Sequence, residues 1–153
     1  MKTLVTFYSR TGNTKRVGQQ IAKNLKADTD GIIDKKNRNG ILGLFGGVRD
    51  VLFKKLTEIE NKKDPSRYDL VIVGTPIWVG TVTPAIRTYL SKNKFNKIAF
   101  FCTCTNKQRK AFIEMEQLSR KPSAILELKT KKINKTESKE KIKGFCKKLK
   151  NNP

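Results

Sequence analysis

Apolar residues in this 153-residue chain form short runs that alternate with segments of helical spacing. Five runs predict strands, at residues 3–8, 30–34, 69–74, 97–102 and 123–128. The third run is unbroken, as a central parallel strand covered on both faces requires. Strands that alternate with helices predict one α/β domain over residues 1–153, a three-layer sandwich with a five-stranded parallel sheet.

Between these runs, apolar residues recur every three or four positions, which predicts helices. The first helix extends from about residue 14 to residue 27, with an apolar face of Val17, Ile21 and Leu25. A polar loop at 35–40 precedes a glycine-containing amphipathic helix at 41–56, and residues 64–67 form a turn. Thr83 as N-cap and Pro84 at the first helical position open a helix through Leu90. Two more helices are predicted, at 107–118 and from Thr136 onward, the latter with Ile142, Phe145 and Leu149 on its apolar face.

The charge of the chain is its most unusual bulk property. Lys and Arg exceed Asp and Glu enough to give +21 at a sequence pI near 10.2. Such a surface favours an acidic partner, whether nucleic acid, an anionic membrane surface or an acidic protein. Aromatic residues are only 8% and fall mostly on predicted buried positions, so no specific nucleic-acid function is expected. Four lysines of the last helix fall on one face and are expected to be solvated, at positions 139, 143, 147 and 150.

The numbers of histidines and cysteines and the lengths of the apolar runs exclude several kinds of chemistry and a membrane-spanning helix. The chain has no histidine, which rules out Ser-His-Asp triads, Cys-His pairs and histidine-ligated metals. No apolar run approaches the ~20 residues of a membrane span, so at most peripheral membrane contact is expected. The first residues lack signal-peptide features and the three cysteines are an odd number, so we expect a cytoplasmic protein with reduced thiols.

The loop after the first predicted strand has the composition of an anion site. It leads directly into a helix, whose free N–H groups and positive dipole end attract phosphate. Hydroxyl and amide side chains add donors, and the glycine permits a tight turn. It matches neither the triphosphatase loop nor the three-glycine dinucleotide motif. The predicted phosphate-binding residues are Ser9, Arg10, Thr11, Gly12, Asn13 and Thr14.

The segment after the central strand offers a flat aromatic surface. It holds the single tryptophan of the chain, whose indole can stack on a planar aromatic ligand. Basic residues near the predicted loops, Arg10, Arg87 and Lys107, are expected to attract the phosphate or an acidic partner. The predicted ring-binding residues are Thr75, Pro76, Ile77, Trp78, Val79 and Gly80.

A third segment follows the fourth predicted strand. Its small side chains and exposed amides suit hydrogen bonds to the edge of a heterocycle. Two cysteines with Cys146 far along the chain are too few ligands for a metal, and their spacing is not C-x-x-C, so neither a metal site nor a redox disulfide is predicted. The predicted residues are Cys102, Thr103, Cys104, Thr105 and Asn106.

Together these three segments resemble the flavodoxin family, of the short-chain kind. Residues 9–14 are similar to its phosphate loop for flavin mononucleotide (FMN), residues 74–81 to its isoalloxazine loop, and residues 102–106 to the segment that contacts the pyrimidine edge. The resemblance implies strand order 2-1-3-4-5, non-covalent FMN and one-electron chemistry. It also implies that the peptide at Val79-Gly80 reorients toward flavin N5 on reduction.

The resemblance leaves three functions open. The first is an electron carrier that forms transient complexes with acidic redox proteins. The second is an FMN-dependent reductase or dehydrogenase acting on a quinone or porphyrin-like substrate, placed by its charge at a membrane surface. The third is a binding module that has lost flavin.

Two features depart from the family pattern. Residues 75–84 contain no Asp or Glu, which predicts a less negative semiquinone/hydroquinone couple than in an acidic relative. The third segment contains no aromatic residue to cover the second face of the ring.

Overall fold

The computed structural model describes residues 1–35, 56–106 and 108–151. The predicted loop at 35–40 and helix at 41–56 lie outside the described residues, apart from Lys35 and the exposed Leu56. Lys107, predicted to begin a helix and to lie near the site, is also outside them.

The described chain contains five parallel strands and three short antiparallel ones. The parallel strands are β1 (Thr3–Phe7), β2 (Asp28–Gly31), β5 (Leu70–Trp78), β7 (Lys97–Cys104) and β8 (Ile125–Lys129). The short ones are β3 (Ile33–Asp34), β4 (Ile59–Glu60) and β6 (Thr81–Val82). The main sheet has the order β2-β1-β5-β7-β8, which confirms the predicted order 2-1-3-4-5 for the parallel strands.

Four described helices cover the two faces of this sheet: α1 (Asn13–Leu25), α2 (Pro84–Lys92), α3 (Arg109–Leu118) and α4 (Thr136–Asn151). One core lies on the α1 and α4 side, where Val17 and Ile21 meet Phe101 and Phe145. The other lies on the α2 and α3 side, where Ile86 and Met115 belong to it. Burial on both faces is why the central strands are almost continuously apolar. The predicted three-layer α/β sandwich is therefore confirmed.

The helix termini agree closely with their predicted signals. Thr83 is the N-cap of α2 and Pro84 its first residue, although the Thr83 side chain makes no capping hydrogen bond. In α4 the predicted apolar residues Ile142, Phe145 and Leu149 are buried, whereas the lysines at 139, 143, 147 and 150 are exposed as expected.

Two strands end two or more residues later than predicted, and one predicted strand is divided. Beyond residue 74, β5 continues because Thr75 and Pro76 pair with β7, and Ile77 and Trp78 then pair with β6. β7 likewise continues to Cys104, because its last residues pair with β8. The predicted strand at 30–34 is split, since residues up to Gly31 pair with β1 whereas Ile33 and Asp34 pair with β4.

No helix in the described ranges combines the length and apolar character needed to cross a membrane.

Candidate functional site

The register of the sheet brings the three predicted site segments to one edge. Phe7, near the end of β1, pairs with Gly74 of β5, and Gly74 in turn pairs with Phe101 of β7. Because the strands are parallel, residues 8–14, 75–83 and 102–106 all follow these positions in the same direction. In open α/β sheets, the carboxyl edge of the strands is where ligands bind.

The first loop presents an open helix N-terminus. Gly12 is the N-cap of α1 with φ +86°, a left-handed conformation that favours glycine. Its carbonyl accepts the Arg16 N–H at 2.9 Å, and the helix has neither a side-chain cap nor an acidic residue in its first turn. The N–H groups of residues 13–15 thus have no partner among the described residues. An uncapped N-terminus of this kind attracts anions.

Some side chains of this loop already have hydrogen-bond partners, and the Ser9 side chain does not. The Ser9 hydroxyl oxygen is buried and has no hydrogen-bond partner in the described part of the chain. Asn13 donates its amide to the Thr11 hydroxyl at 3.3 Å, on the exposed surface of the loop. Thr14, in contrast, is buried and its hydroxyl pairs with that of Thr103 at 2.8 Å. The Thr14 side chain therefore connects the first loop to β7, and Ser9 is the donor that still lacks a partner.

Trp78 connects the first loop to the second segment. Its half-buried indole meets the ring of Tyr8 edge-on, with centroids 5.8 Å apart at 77°. The Arg10 guanidinium lies 5.9 Å from the Trp78 ring centroid. Sequence reasoning missed Tyr8, although its position between β1 and Ser9 was the available signal.

The turn after Trp78 has an unusual backbone. Trp78 pairs with Thr81, so Val79 and Gly80 form a two-residue hairpin loop between β5 and β6. Both have positive φ, +50° for Val79 and +78° for Gly80. Positive φ at both positions is typical of the tight turns that join twisted strands, but a β-branched residue there is strained. The Val79 side chain is 60% exposed, so packing does not compensate for this strain.

The other residues predicted for this segment lie in β5 itself. Pro76 and Ile77 are half-buried, whereas Thr75 is fully buried. The Thr75 hydroxyl donates to the Pro76 carbonyl at 2.8 Å and lies 3.2 Å from the Thr83 hydroxyl. The Thr75 side chain is therefore engaged within the segment.

An ion pair between buried Arg87 and half-buried Glu114 contacts this hairpin. Arg87 of α2 donates through Nε and Nη2 to Glu114 Oε1 of α3, at 2.9 and 2.7 Å. Arg87 Nη2 also donates to the Val82 carbonyl at 3.2 Å, and the Thr81 hydroxyl donates to Glu114 Oε2. We call Thr81, Val82, Arg87 and Glu114 the hairpin brace. Since the Arg87 side chain is 4% exposed, the prediction that it attracts a phosphate or partner is wrong.

The brace also fixes the charge state of its carboxylate. Burial alone would raise the pKa of Glu114, but hydrogen bonds from Thr81 and Arg87, with the guanidinium charge, outweigh it. The pKa of Glu114 is therefore below its ordinary value. Sequence reasoning missed this residue because it lies 27 positions from Arg87.

The third segment differs most from its prediction. Cys102, Thr103 and Cys104 are residues of β7 with buried side chains, because the strand is two residues longer than predicted. Side chains alternate along a strand, so the two thiols face the α2 and α3 core and Thr103 faces Thr14. These three side chains are enclosed, and only those of Thr105 and Asn106 are exposed for hydrogen bonding to a ligand edge.

No family model matches the chain, and no curated protein matches it. Solved structures do. The flavoprotein from Lactobacillus acidophilus NCFM, solved in complex with FMN, is 20% identical, with a TM-score of 0.70 over 82% of this chain and 92% of its own. Oxidised flavodoxin 2 from Bacillus cereus gives a TM-score of 0.65 at 15% identity, with all of both chains covered. Oxidised flavodoxin 1 from the same species gives 0.60 at 19%, over 100% of this chain and 99% of its own. The chain has the flavodoxin-like fold.

Proposed function

We propose that this protein binds FMN without a covalent bond at the carboxyl edge of its sheet and carries single electrons between redox proteins. The observation that carries this proposal is the open N-terminus of α1 beside the unpartnered Ser9 hydroxyl. The FMN complex of the Lactobacillus acidophilus flavoprotein, which is similar in fold, supports the choice of ligand.

The first loop fits a phosphate monoester in charge and in donor chemistry. A buried hydroxyl without a partner costs free energy that a hydrogen-bonded ligand would recover. Ser9 supplies such a hydroxyl, and the free N–H groups of residues 13–15 supply further donors and the positive end of the helix dipole. The exposed Arg10 and Lys15 side chains add positive charge around the same loop.

The second segment fits the flavin ring. Trp78 supplies a large aromatic surface next to the phosphate loop, and the Val79–Gly80 turn presents backbone polar groups beside it. FMN supplies the one-electron redox chemistry when it is bound. The role of the chain is to hold the phosphate, orient the ring and exclude water through Trp78 and Tyr8.

The surface charge supports a carrier that meets acidic proteins. A net charge of +21 attracts acidic partners over long range and accelerates encounter, and this effect weakens with salt. Such complexes need only brief contact near the exposed hairpin, where Val79 is 60% exposed. A reductase would also need to bind and turn over a substrate of its own.

The first experiment titrates FMN and riboflavin into the purified full-length chain, with flavin fluorescence as the readout. Riboflavin has the same ring without the phosphate, so we expect it to bind at least tenfold more weakly. A hydrogen bond to a charged group contributes about 1.5–3 kcal/mol, so Ser9→Ala should weaken FMN about tenfold or more and leave riboflavin unchanged. Ser123→Ala, next to the amino end of β8, is the matched control.

The outcomes separate the three functions. Failure to bind FMN would leave the flavin-free binding module, and equal affinity for FMN and riboflavin would remove the phosphate loop from the site. Steady turnover of a quinone with NADH or NADPH, with no second protein, would identify a reductase. A carrier should instead exchange electrons faster with acidic than with basic redox proteins, and added salt should reduce that difference.

A further inference from the structure

Three potential metal ligands lie together at the carboxyl ends of β7 and β8. Cys102 and Cys104 are two residues apart on β7, so their thiols face the same side of the sheet. Glu127 of β8 is directly opposite Cys102 in the parallel register. The two sulfurs and a Glu127 carboxylate oxygen all lie within 4.8 Å of one another.

We propose that Cys102, Cys104 and Glu127 form a binding site for a thiolate-preferring d¹⁰ cation of the Zn²⁺ class. Zinc is bound by thiolate sulfur at about 2.3 Å and by carboxylate oxygen at about 2.0–2.2 Å in tetrahedral sites. That geometry requires ligand atoms about 3.8 Å apart or less. The present separations, none above 4.8 Å, exceed this by at most about 1 Å, a difference that small side-chain rotations can close.

The hydrogen bonding of Glu127 suits a metal ligand. Its Oε2 accepts the backbone N–H of Gln108 at 2.8 Å, which orients the carboxylate. Its other oxygen, Oε1, has no hydrogen-bond partner within the described ranges. Ligating carboxylates are normally held in this way by a second group.

The charge around the cluster is also favourable. Two thiolates and one carboxylate carry three negative charges, so a divalent ion leaves one negative charge on the site. Lys129 is paired with Cys104 in the register and lies two residues after Glu127 on the same strand, so its side chain adds a positive charge on the same face of the sheet. As each sulfur–metal bond forms, the thiol releases its proton to the buffer, and no electron is transferred.

The cluster has routes to solvent and room for a further ligand. Cys104 lines a cavity of about 310 Å³ with Thr105 and Asn106. Glu127 lines another, of about 530 Å³, between α3 and β8. Three protein ligands leave one tetrahedral position for water.

From the sequence, no metal site is predicted because two cysteines are too few ligands. The structure adds a third ligand to these two. Cys146, the third cysteine, lies on α4 in the opposite core and takes no part. The third ligand is Glu127, which sequence spacing does not connect to the cysteines. The metal-site proposal does not rest on the proposed binding of FMN.

Cadmium is the probe, because its thiolate complexes have an ultraviolet charge-transfer band. Cd²⁺ is titrated into the reduced full-length chain, followed by Zn²⁺ as competitor. We expect one Cd²⁺ per chain, release of two protons per ion, and displacement by Zn²⁺ but not by Mg²⁺. Cys146→Ser is the matched control, since it removes an equally buried thiol from the other layer, and it should bind as the wild type does.

Three variants test the individual ligands. Cys104→Ser and Cys102→Ser should each abolish the two-thiolate band. Glu127→Gln should keep the band and weaken Cd²⁺ at least tenfold, since even outer groups of metal sites contribute 10–100-fold. Far-UV circular dichroism establishes which variants are folded, and Glu127→Gln, at a half-buried position, remains informative if a buried serine variant unfolds. The proposal would be overturned if the wild type showed no band, if a folded Cys104→Ser retained the band, or if Cys146→Ser lost it. It would also be overturned if Glu127→Gln left the affinity for Cd²⁺ unchanged.

Discussion

The first loop (residues 8–14) and the hairpin segment (residues 75–83) lie at one edge of the sheet but differ in whether their polar groups have hydrogen-bond partners. In the loop, the Ser9 hydroxyl and the first N–H groups of α1 have no partner in the described chain. In the hairpin segment, the hydroxyls of Thr75, Thr81 and Thr83 are all engaged. The buried Arg87 and the half-buried Glu114 are likewise paired with each other.

This difference suggests a division of roles between the two segments. Unsatisfied donors gain most when a charged ligand arrives, so the loop is expected to supply binding free energy and selectivity for phosphate. A satisfied network gains nothing from the ligand and instead fixes shape, so the hairpin is expected to position Trp78 and the turn. Variants that affect one segment without the other test this division.

The largest expected effect comes from the brace. Glu114→Ala removes the negative charge that Glu114 supplies to the buried Arg87 guanidinium, and breaking a buried pair costs up to about 3–5 kcal/mol of unfolding free energy. The double variant Arg87→Met/Glu114→Leu removes both charges and should recover most of this loss. Urea denaturation measures both. A loss under about 1 kcal/mol in Glu114→Ala would show that the pair is not a structural brace.

The brace also predicts a pH dependence. The pKa of Glu114 is lower in the folded chain than its ordinary value of 4.5, so its contribution to stability is complete above about pH 4.5. That contribution is lost as the pH falls through the lower folded-state pKa. The unfolding free energies of wild type and Glu114→Gln should therefore converge on acidification. A constant difference down to low pH would contradict this.

The next prediction compares one glycine substitution in each of the two segments. Gly12 and Gly80 both have positive φ, and a Cβ at either meets nothing closer than Gln108 Oε1, 3.9 Å from Gly80. Gly12→Ala and Gly80→Ala should each therefore cost only the backbone strain, about 1–2 kcal/mol of unfolding free energy. Gly12→Ala should also reduce the affinity ratio of FMN to riboflavin, whereas Gly80→Ala should leave that ratio unchanged.

A third glycine provides the control for this pair. Gly144 is in the middle of α4, where a Cβ meets nothing within 4 Å. Gly144→Ala should raise stability by about 0.5–1 kcal/mol through helix propensity and leave flavin binding unchanged. If Gly80→Ala changed the ratio as much as Gly12→Ala, the division of roles between the segments would be wrong.

The strand and helix pattern was predictable because burial imposes it on the sequence. The unbroken run at 69–74 and the spacing of Val17, Ile21 and Leu25 each match an element of the structure. The ends of β5 and β7 were not predictable from the sequence, because they depend on pairing with β6 and β8. β6 is only two residues long, which is too short for a periodic signal.

The candidate site was predictable as three segments but not in its contacts. Loop composition predicted Ser9 and Trp78 as site residues, because each lies just past the end of a predicted strand, whereas the contacts of Trp78 with Tyr8 and Arg10 join distant parts of the sequence. The brace joins residues 27 positions apart, and Glu127 meets Cys102 only through strand register. Long-range pairs of this kind leave no local pattern, and for that reason the enclosure of the Arg87 side chain and of the two thiols was not predicted.

A smaller effect is expected at Val79, where the turn is strained. Val79→Asn creates Asn-Gly, the sequence that this hairpin turn prefers, at a 60% exposed position. Because Asn tolerates positive φ much better than a β-branched residue, we expect about 1 kcal/mol of added stability by urea denaturation without flavin. No gain would show that the φ of +50° at Val79 carries little strain.

The smallest expected effect concerns the reduction potential, and it rests on FMN binding. Residues 75–84 contain no acidic residue, and Glu114, which contacts them, is neutralised by Arg87. We therefore expect the second one-electron potential to be less negative than that of an acidic flavodoxin.

Val79→Glu adds one negative charge to the exposed turn, and at ~10 Å this should lower that potential by about 20–70 mV at low salt. Val79→Gln, which has the same shape without the charge, should leave it within about 10 mV of wild type. Since salt screens an exposed charge, the difference between Glu and Gln should shrink as ionic strength rises. Equal potentials for the two variants at low salt would mean that the turn does not adjoin the ring, which would break the proposed role of the hairpin while leaving the phosphate loop intact.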